Sequence, residues 1–232
     1  MIELKEVGST NEYIKEHVNE LDNFECVFTS NQTKGKGRTG HTWESEPNKN
    51  AAFSILIKDD KIIKRFNLIS IVTSVVVAEY LQNLGIEEVS IKWPNDVYIA
   101  GKKVCGILLE GSLPNYMIIG VGINVNQKDF NGFSATSIKN VIGMKIDPKL
   151  VAIDVSDALK YSVQNLKDDL SDYIEEYTEL DYLLNKTISF NYDGELLEGI
   201  AKGIDFDGSL KVMCNNKLIN VSSNEVNLVR KI

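Results

Sequence analysis

Short apolar runs rich in β-branched residues, at 27–31, 52–58 and 89–92, are set around one long apolar stretch at 64–84. This alternation restricts the fold more than any other feature of the chain. The short runs have the character of buried strands, and the long one that of a helix ending near Gly85. Asn67, Ser70, Thr73, Ser74 and Glu79 interrupt the long run, which suits a buried amphipathic helix and not a membrane span. Residues 2–7 add a short strand. A helix starting at Thr10, with Tyr13, Ile14 and Val18 at apolar spacing, follows it. Residues 97–99 and 103–111 read as a hairpin turning at Ala100 and Gly101, residues 116–125 continue the sheet, and 148–183 is helical in pattern with acids on its outer face. Strands, helices and antiparallel hairpins in this mixture predict an α/β (α+β) architecture, a mixed sheet flanked by helices.

After Leu184 the texture changes. Five short strand candidates, 187–192, 196–204, 209–214, 217–221 and 227–229, are separated by turn signals at Asp193-Gly194, Asp207-Gly208 and Asn215-Asn216. Such spacing predicts a small barrel, and the chain divides into a larger domain, 1–184, and a small one, 185–232. A unit of roughly 45 residues is near the lower limit for an independent core, so it should lean on its larger neighbour.

The 232 residues are 43% hydrophobic and 25% charged, ordinary values for a soluble globular protein. A net charge of −8 argues against general nucleic-acid binding. Cys26, Cys105 and Cys214 are odd in number and far apart, which fits neither a disulfide framework nor a CxxC metal site. With His17 and His41 the only histidines, a zinc site built from protein ligands and a Ser-His-Asp triad are both disfavoured. The opening MIELKEVGSTNEY resembles neither a signal peptide nor an anchor, so a cytoplasmic location is expected.

Against this acidic background, residues 33–43, TKGKGRTGHTW, interleave Lys34, Lys36 and Arg38 with Gly35, Gly37 and Gly40 and contain no acid. Glycine lets the backbone approach a ligand closely, and the cations offer charge-assisted hydrogen bonds to carboxylate or phosphate. A mobile surface loop is the plain alternative; a flap over an anion is the functional one. No GxxxxGK[ST] is present, and GKGRTG lacks the spacing of a dinucleotide-binding turn.

Three further segments, GSTN at 8–11, KWPND at 92–96 and GVGINVN at 120–126, stand with the Gly-rich loop in an order and spacing that resembles the biotin protein ligase family over the whole chain. The resemblance implies an ATP-dependent ligase that activates biotin as biotinyl-5'-AMP and transfers it to a lysine of a biotin carboxyl carrier protein. It implies ATP and biotin as substrates, Mg2+ as cofactor, no metal held by dedicated protein ligands, and an SH3-like barrel at the C-terminus with 202–212 as its hairpin. It assigns catalysis to Lys92, Arg38 and Lys103. Ser9, Thr10, Asn11, Gln32, Lys36, Gly37, Arg38 and Lys92 would hold biotin, and Gly35, Trp43, Asn95 and Asn124 the nucleotide.

Each role has a structural alternative. Ser9 or Thr10 is an adequate helix N-cap. Trp43 could simply plug the end of the loop, Asn95 and Asp96 could brace a turn, and Lys103 could be a solvated hairpin lysine. Lys36 and His41 stand where many family members carry arginine, so Lys36 keeps the charge without the forked geometry. GSTN begins at Gly8, so no helix-turn-helix domain and no DNA binding are expected, while an exposed sheet edge would permit a homodimer. A lipoate or octanoate ligase would share the adenylate chemistry but need a long apolar tunnel. A non-catalytic binding module would not need Lys92 for chemistry.

Overall fold

The computed structural model describes residues 1–166, 170–192, 194–223 and the backbone of 229–231. In chain order the elements begin with β1 (Ile2–Glu3), α1 (Thr10–Glu16), β2 (Cys26–Thr29), β3 (Gly35–Lys36), β4 (Thr42–Trp43), β5 (Ala51–Ile57), α2 (Asp60–Ile63) and α3 (Phe66–Asn83). Then come β6 (Val89–Lys92), β7 (Asp96–Ile99), β8 (Lys102–Ser112), β9 (Tyr116–Ile123), α4 (Ile138–Ile142), α5 (Pro148–Gln164) and α6 (Ser171–Glu179). Five strands follow: β10 (Thr187–Tyr192), β11 (Glu195–Ile204), β12 (Leu210–Cys214), β13 (Lys217–Val221) and β14 (Val229–Lys231).

Seven strands form one mixed sheet in the order β1-β2-β5-β9-β8-β7-β6, with β1 parallel to β2 and every other pair antiparallel. Helices α3 and α5 cover one face. Their apolar sides meet Phe53, Ile55, Val97, Ile107, Ile119 and Val121 in the main core. On the other face α1 seals a smaller cluster of Ile14, Leu21, Val27, Leu56 and Ile118. The sheet is thus helix-flanked, as expected.

Several boundaries differ from expectation. The strand read at 2–7 pairs only over Ile2–Glu3, after which the chain departs and Val7 returns as a lone bridge to Gln32. The helix read at 64–84 starts at Phe66, because Asp59 caps a separate turn, α2, by accepting from the Lys61 and Ile62 amides. The helical run at 148–183 is two helices, α5 and α6, the first begun by Asp147 at its N-cap and Pro148 in its first turn. The turn at Ala100 and Gly101 stands as expected, both residues taking positive φ (48° and 72°) as a two-residue hairpin requires.

The C-terminal strands make an antiparallel sheet in the order β13-β12-β11-β10-β14. Among the described residues this sheet is open, with β13 and β14 at its edges and no closed barrel. The strand read at 227–229 falls partly outside the described residues, and β14 begins only at Val229. The small sheet does lean on its neighbour: the Trp93 indole N–H donates to the Gly208 carbonyl (3.0 Å).

Candidate active site

The cleft follows from strand alternation. Side chains at every second residue share a sheet face, and on the α1 face the register aligns Ala52 with Gly122, Ser54 with Gly120, Gly106 with both Gly122 and Asp96, and Asp96 with Lys92. Small residues on neighbouring strands leave a hollow, and charged ones at β6 and β7 close one end of it. Two glycines let side chains approach the sheet closely. A Cβ at Gly120 would come within 2.4 Å of Asn11 Oδ1, and one at Gly122 within 2.6 Å of Trp43 Cε2.

One end of the cleft is uncharged and polar. Ser9, Thr10 and Asn11 are almost fully buried and, with Gln32, line the cleft. Gln32 Oε1 accepts from the Thr10 amide (3.0 Å) and hydroxyl (3.3 Å). Ser54 Oγ lies 2.6 Å from both Thr10 Oγ1 and Asn11 Oδ1, and Asn11 Nδ2 donates to Glu110 Oε2 (2.8 Å). Ser9 occupies the N-cap position of α1 without making a side-chain capping bond. The cap is therefore positional only, and Ser9 is one of the residues lining the cleft.

The other end is cationic. Lys92 leaves the end of β6 with its Nζ 5.7 Å from the centre of the Tyr98 ring. Lys103 Nζ lies 2.7 Å from Asp96 Oδ1 and 5.6 Å from the Trp43 ring. Arg38 donates to the Ser223 carbonyl of the C-terminal unit. Burial holds its guanidinium below the ordinary value, and the Asp96 carboxylate opposes that shift. Arg38, Lys92 and Lys103 thus line one cleft around a single carboxylate, an arrangement an incoming anion can complete.

The Gly-rich segment forms a flap. Strands β3 and β4 pair as a small hairpin, Gly35 with Trp43 and Lys36 with Thr42, and Gly37 and Arg38 enter the intervening turn. Trp43 lies across Gly106 and Gly122, so it serves as both plug and cleft wall. Among the described residues its buried indole N–H has no partner, a donor left for a ligand.

Most of the expected residues gather here, and two do not. Gly35 sits behind the lining, where a Cβ would come within 2.4 Å of the Trp43 carbonyl oxygen, so it shapes the flap. Asn124 lies outside the cleft, with its Nδ2 donating to the Thr136 carbonyl (3.1 Å) and its amide N–H to the Val104 carbonyl (2.8 Å). There its side-chain N–H group helps fasten residues 134–136 beside Lys103. Asn95 lines the cleft while its Nδ2 braces the turn against the Ile107 carbonyl (2.6 Å). Ser54, Glu12, Lys15 and Glu110 were missed by sequence reasoning. Ser54 and Glu110 carried a usable signal, a polar residue within an apolar strand, which must find a partner if buried.

The model of the biotin/lipoate A/B protein ligase family matches residues 4–124, just over half of the 232. The chain belongs to this family. A second model, the biotin protein ligase C terminal domain, matches residues 183–229. The bifunctional ligase/repressor BirA of Salmonella typhimurium is 27% identical over 213 residues, 88% of this chain and 66% of that relative. The biotin–[acetyl-CoA-carboxylase] ligase of Mycobacterium tuberculosis is 24% identical over 206 residues, 86% of this chain and 77% of that one. Relative to BirA, this family member spans about two thirds of the length. Among solved structures, the biotin protein ligase of Aquifex aeolicus in complex with biotin and ATP superimposes with a TM-score of 0.89 at 28% identity, over 100% of this chain and 98% of that one.

Proposed function

We propose that this chain is an ATP-dependent ligase that activates biotin as biotinyl-5'-AMP and transfers it to one lysine of a biotin carboxyl carrier protein. In the first step a biotin carboxylate oxygen attacks the α-phosphorus, the bond to the bridging oxygen breaks, and pyrophosphate leaves. In the second, a neutral lysine amine attacks the acyl carbon, the acyl–oxygen bond breaks, AMP leaves, and the amine's proton passes to solvent. Neither step needs a covalent enzyme nucleophile. Both need positive charge placed in advance.

The observation that carries the reading is the convergence of Arg38, Lys92 and Lys103 on the cleft whose far end is the Ser9–Thr10–Asn11–Gln32 cluster. Lys92 and Lys103 would offset charge between carboxylate and α-phosphate. Arg38 would leave the Ser223 carbonyl and bridge the acyl phosphate with its fork. The hydroxyl and amide cluster suits a ureido ring, which both donates and accepts hydrogen bonds. Trp43, Asn95, Lys36 and Gly37 complete the nucleotide and flap contacts.

Magnesium belongs to this proposal as the counterion carried by ATP. Among the described residues no group of three His, Cys, Asp or Glu could hold it, so no step is assigned to a protein-bound ion. The proposal includes a catalytic domain, 1–184, and a C-terminal domain, 185–232, closing as an SH3-like barrel. It also includes a cytoplasmic location and a homodimer along a sheet edge. Among the described residues no helix is long and apolar enough to cross a membrane, and the −8 net charge supports a protein that does not bind DNA.

ATP–pyrophosphate exchange tests the reading. Exchange is expected with biotin and absent with lipoate, since the cleft ends in the polar cluster and not in an apolar tunnel. Exchange supported only by lipoate would reassign the substrate.

A further inference from the structure

Beyond the cleft lining, a continuous chain of charged and polar groups runs from the flap to the floor. Lys36 Nζ lies 2.9 Å from Glu12 Oε1, and the same oxygen lies 2.7 Å from Lys15 Nζ. Lys15 Nζ also reaches Glu110 Oε1 (2.7 Å), and Glu110 Oε2 accepts from Asn11 Nδ2 (2.8 Å). Asn11 Oδ1 then lies 2.6 Å from Ser54 Oγ in the sheet. Apart from the Glu12–Lys15 link within α1, each contact ties one element to another: flap to α1, α1 to β8, β8 back to α1, and α1 to β5.

We infer that Glu12 is a positioning residue that holds the flap in register over the substrate, drawing Lys36 toward α1 while Lys15 and Glu110 fix Glu12 to the floor. This inference rests on the ligase reading. The mechanical argument is short. Lys36 is paired with Thr42 and Gly35 with Trp43, so fixing Lys36 fixes the hairpin that lays Trp43 across Gly122 and carries Arg38 at its turn.

Glu12 is suited to the task. Hydrogen bonds from Lys15 and Lys36 hold its carboxyl below the ordinary glutamate value, so it stays ionised at neutral pH. The Lys36 contact is half-exposed, with side-chain exposures of 49% and 36% for Lys36 and Glu12. Exposed pairs are individually weak, which lets the flap open for substrate entry. The inner links carry less exposure, 28% for Lys15 and 24% for Glu110, so the anchor is firmer than the latch.

The test uses the full chain with Glu12→Gln, Lys36→Gln and the double variant, following KM for biotin, kcat and release of biotinyl-5'-AMP. Glu12→Gln should raise KM and the release rate about threefold, within the range expected for one exposed pair, with kcat changed far less. KM should rise with salt in both proteins, because the cationic cleft is screened in each, and more steeply in the parent than in Glu12→Gln. In the Lys36→Gln background, adding Glu12→Gln should have no further effect. Unchanged release in Glu12→Gln, or effects of the two substitutions that add, would overturn the inference. A parent protein that forms no biotinyl-5'-AMP from biotin and ATP would instead overturn the ligase reading beneath it.

Discussion

The two faces of the seven-stranded sheet are built from the same strands by opposite rules. On the helix side β5 and β9 present Phe53, Ile55, Ile57, Ile119, Val121 and Ile123, all at 0–3% exposure, and α3 and α5 pack onto them. On the other side the same two strands present Ala52, Ser54, Gly120 and Gly122, and the space those residues do not fill is occupied by Asn11 and Trp43 or left as cleft. Burying large side chains on one face supplies the stability that lets the other stay hollow, since each buried Val, Ile or Phe contributes roughly 1.5–3 kcal/mol. Adjacent residues on one strand therefore answer to different constraints, one to packing and the next to the ligand.

The largest effect should come from the charged end of the hollow face. Lys92→Ala is expected to lower biotinyl-5'-AMP formation by about 10²–10³-fold or more, the cost of losing one preorganised donor, while the melting midpoint stays within a few degrees. Adenylate formation at the parent rate would show that the cationic end is not catalytic. Next come two substitutions on β9 that should separate the faces. Gly122→Ala sets a methyl against the Trp43 indole and should weaken ATP binding about 10-fold or more, as displacement of that ring at ~1–3 kcal/mol implies, with little change in midpoint. Ile119→Ala, three residues away and fully buried on the helix side, should cost about 2–5 kcal/mol of stability and leave kcat/KM nearly unchanged at a temperature where it is folded. If both variants lost activity and stability in parallel, the division between faces would fail.

Much of this division was legible in the sequence, for particular reasons. The runs AAFSILI and YMIIGVGI are apolar enough to be buried strands, and the short KWPND turn follows a strand end at Lys92 where a buried charge needs an anion. What could not be read was pairing. Nothing local indicates that Ser54 meets Thr10 and Asn11 from 43–44 residues away, or that Glu110 closes an ion-pair chain to Lys36. Nor does the GVGINVN motif indicate that the Asn124 side-chain N–H donates to the Thr136 carbonyl. Strand ends such as Glu3 depend on where the partner strand stops, so residues 2–7 looked longer than the pairing they make.

The smallest expected effect sharpens the comparison at the sheet edge, where the helix-side layer meets the cleft. Residues 180–182 pair with β6 just before Lys92: the Ile91 amide donates to the Leu180 carbonyl (2.7 Å), the Tyr182 amide to the Ile91 carbonyl (2.8 Å), and the Tyr182 ring lies 5.1 Å from that of Tyr98. Within this segment burial pushes the Asp181 carboxyl up from 3.8 to about 6, against hydrogen bonds from the Leu183 and Leu184 amides. A raised carboxyl pKa means that the folded state holds its proton to higher pH than the unfolded chain. Stability associated with Asp181 is therefore fullest below about pH 4 and is lost as pH rises through about 6. Asp181→Asn keeps an acceptor for the Leu183 amide, which now bonds Asp181 Oδ1 at 2.8 Å, and removes the charge. It should raise the midpoint at pH 8 by several degrees, on the order of 2 kcal/mol at ~2–4 °C per kcal/mol, and leave it nearly unchanged at pH 4. Glu176, pushed up to about 7 by burial and the neighbouring Glu79, adds a slope of the same sign in both proteins, so the difference between them isolates Asp181. Parallel melting profiles from pH 4 to 8 would mean that the segment holding β6 carries no buried charge cost, and that the edge next to Lys92 is as well solvated as the cleft.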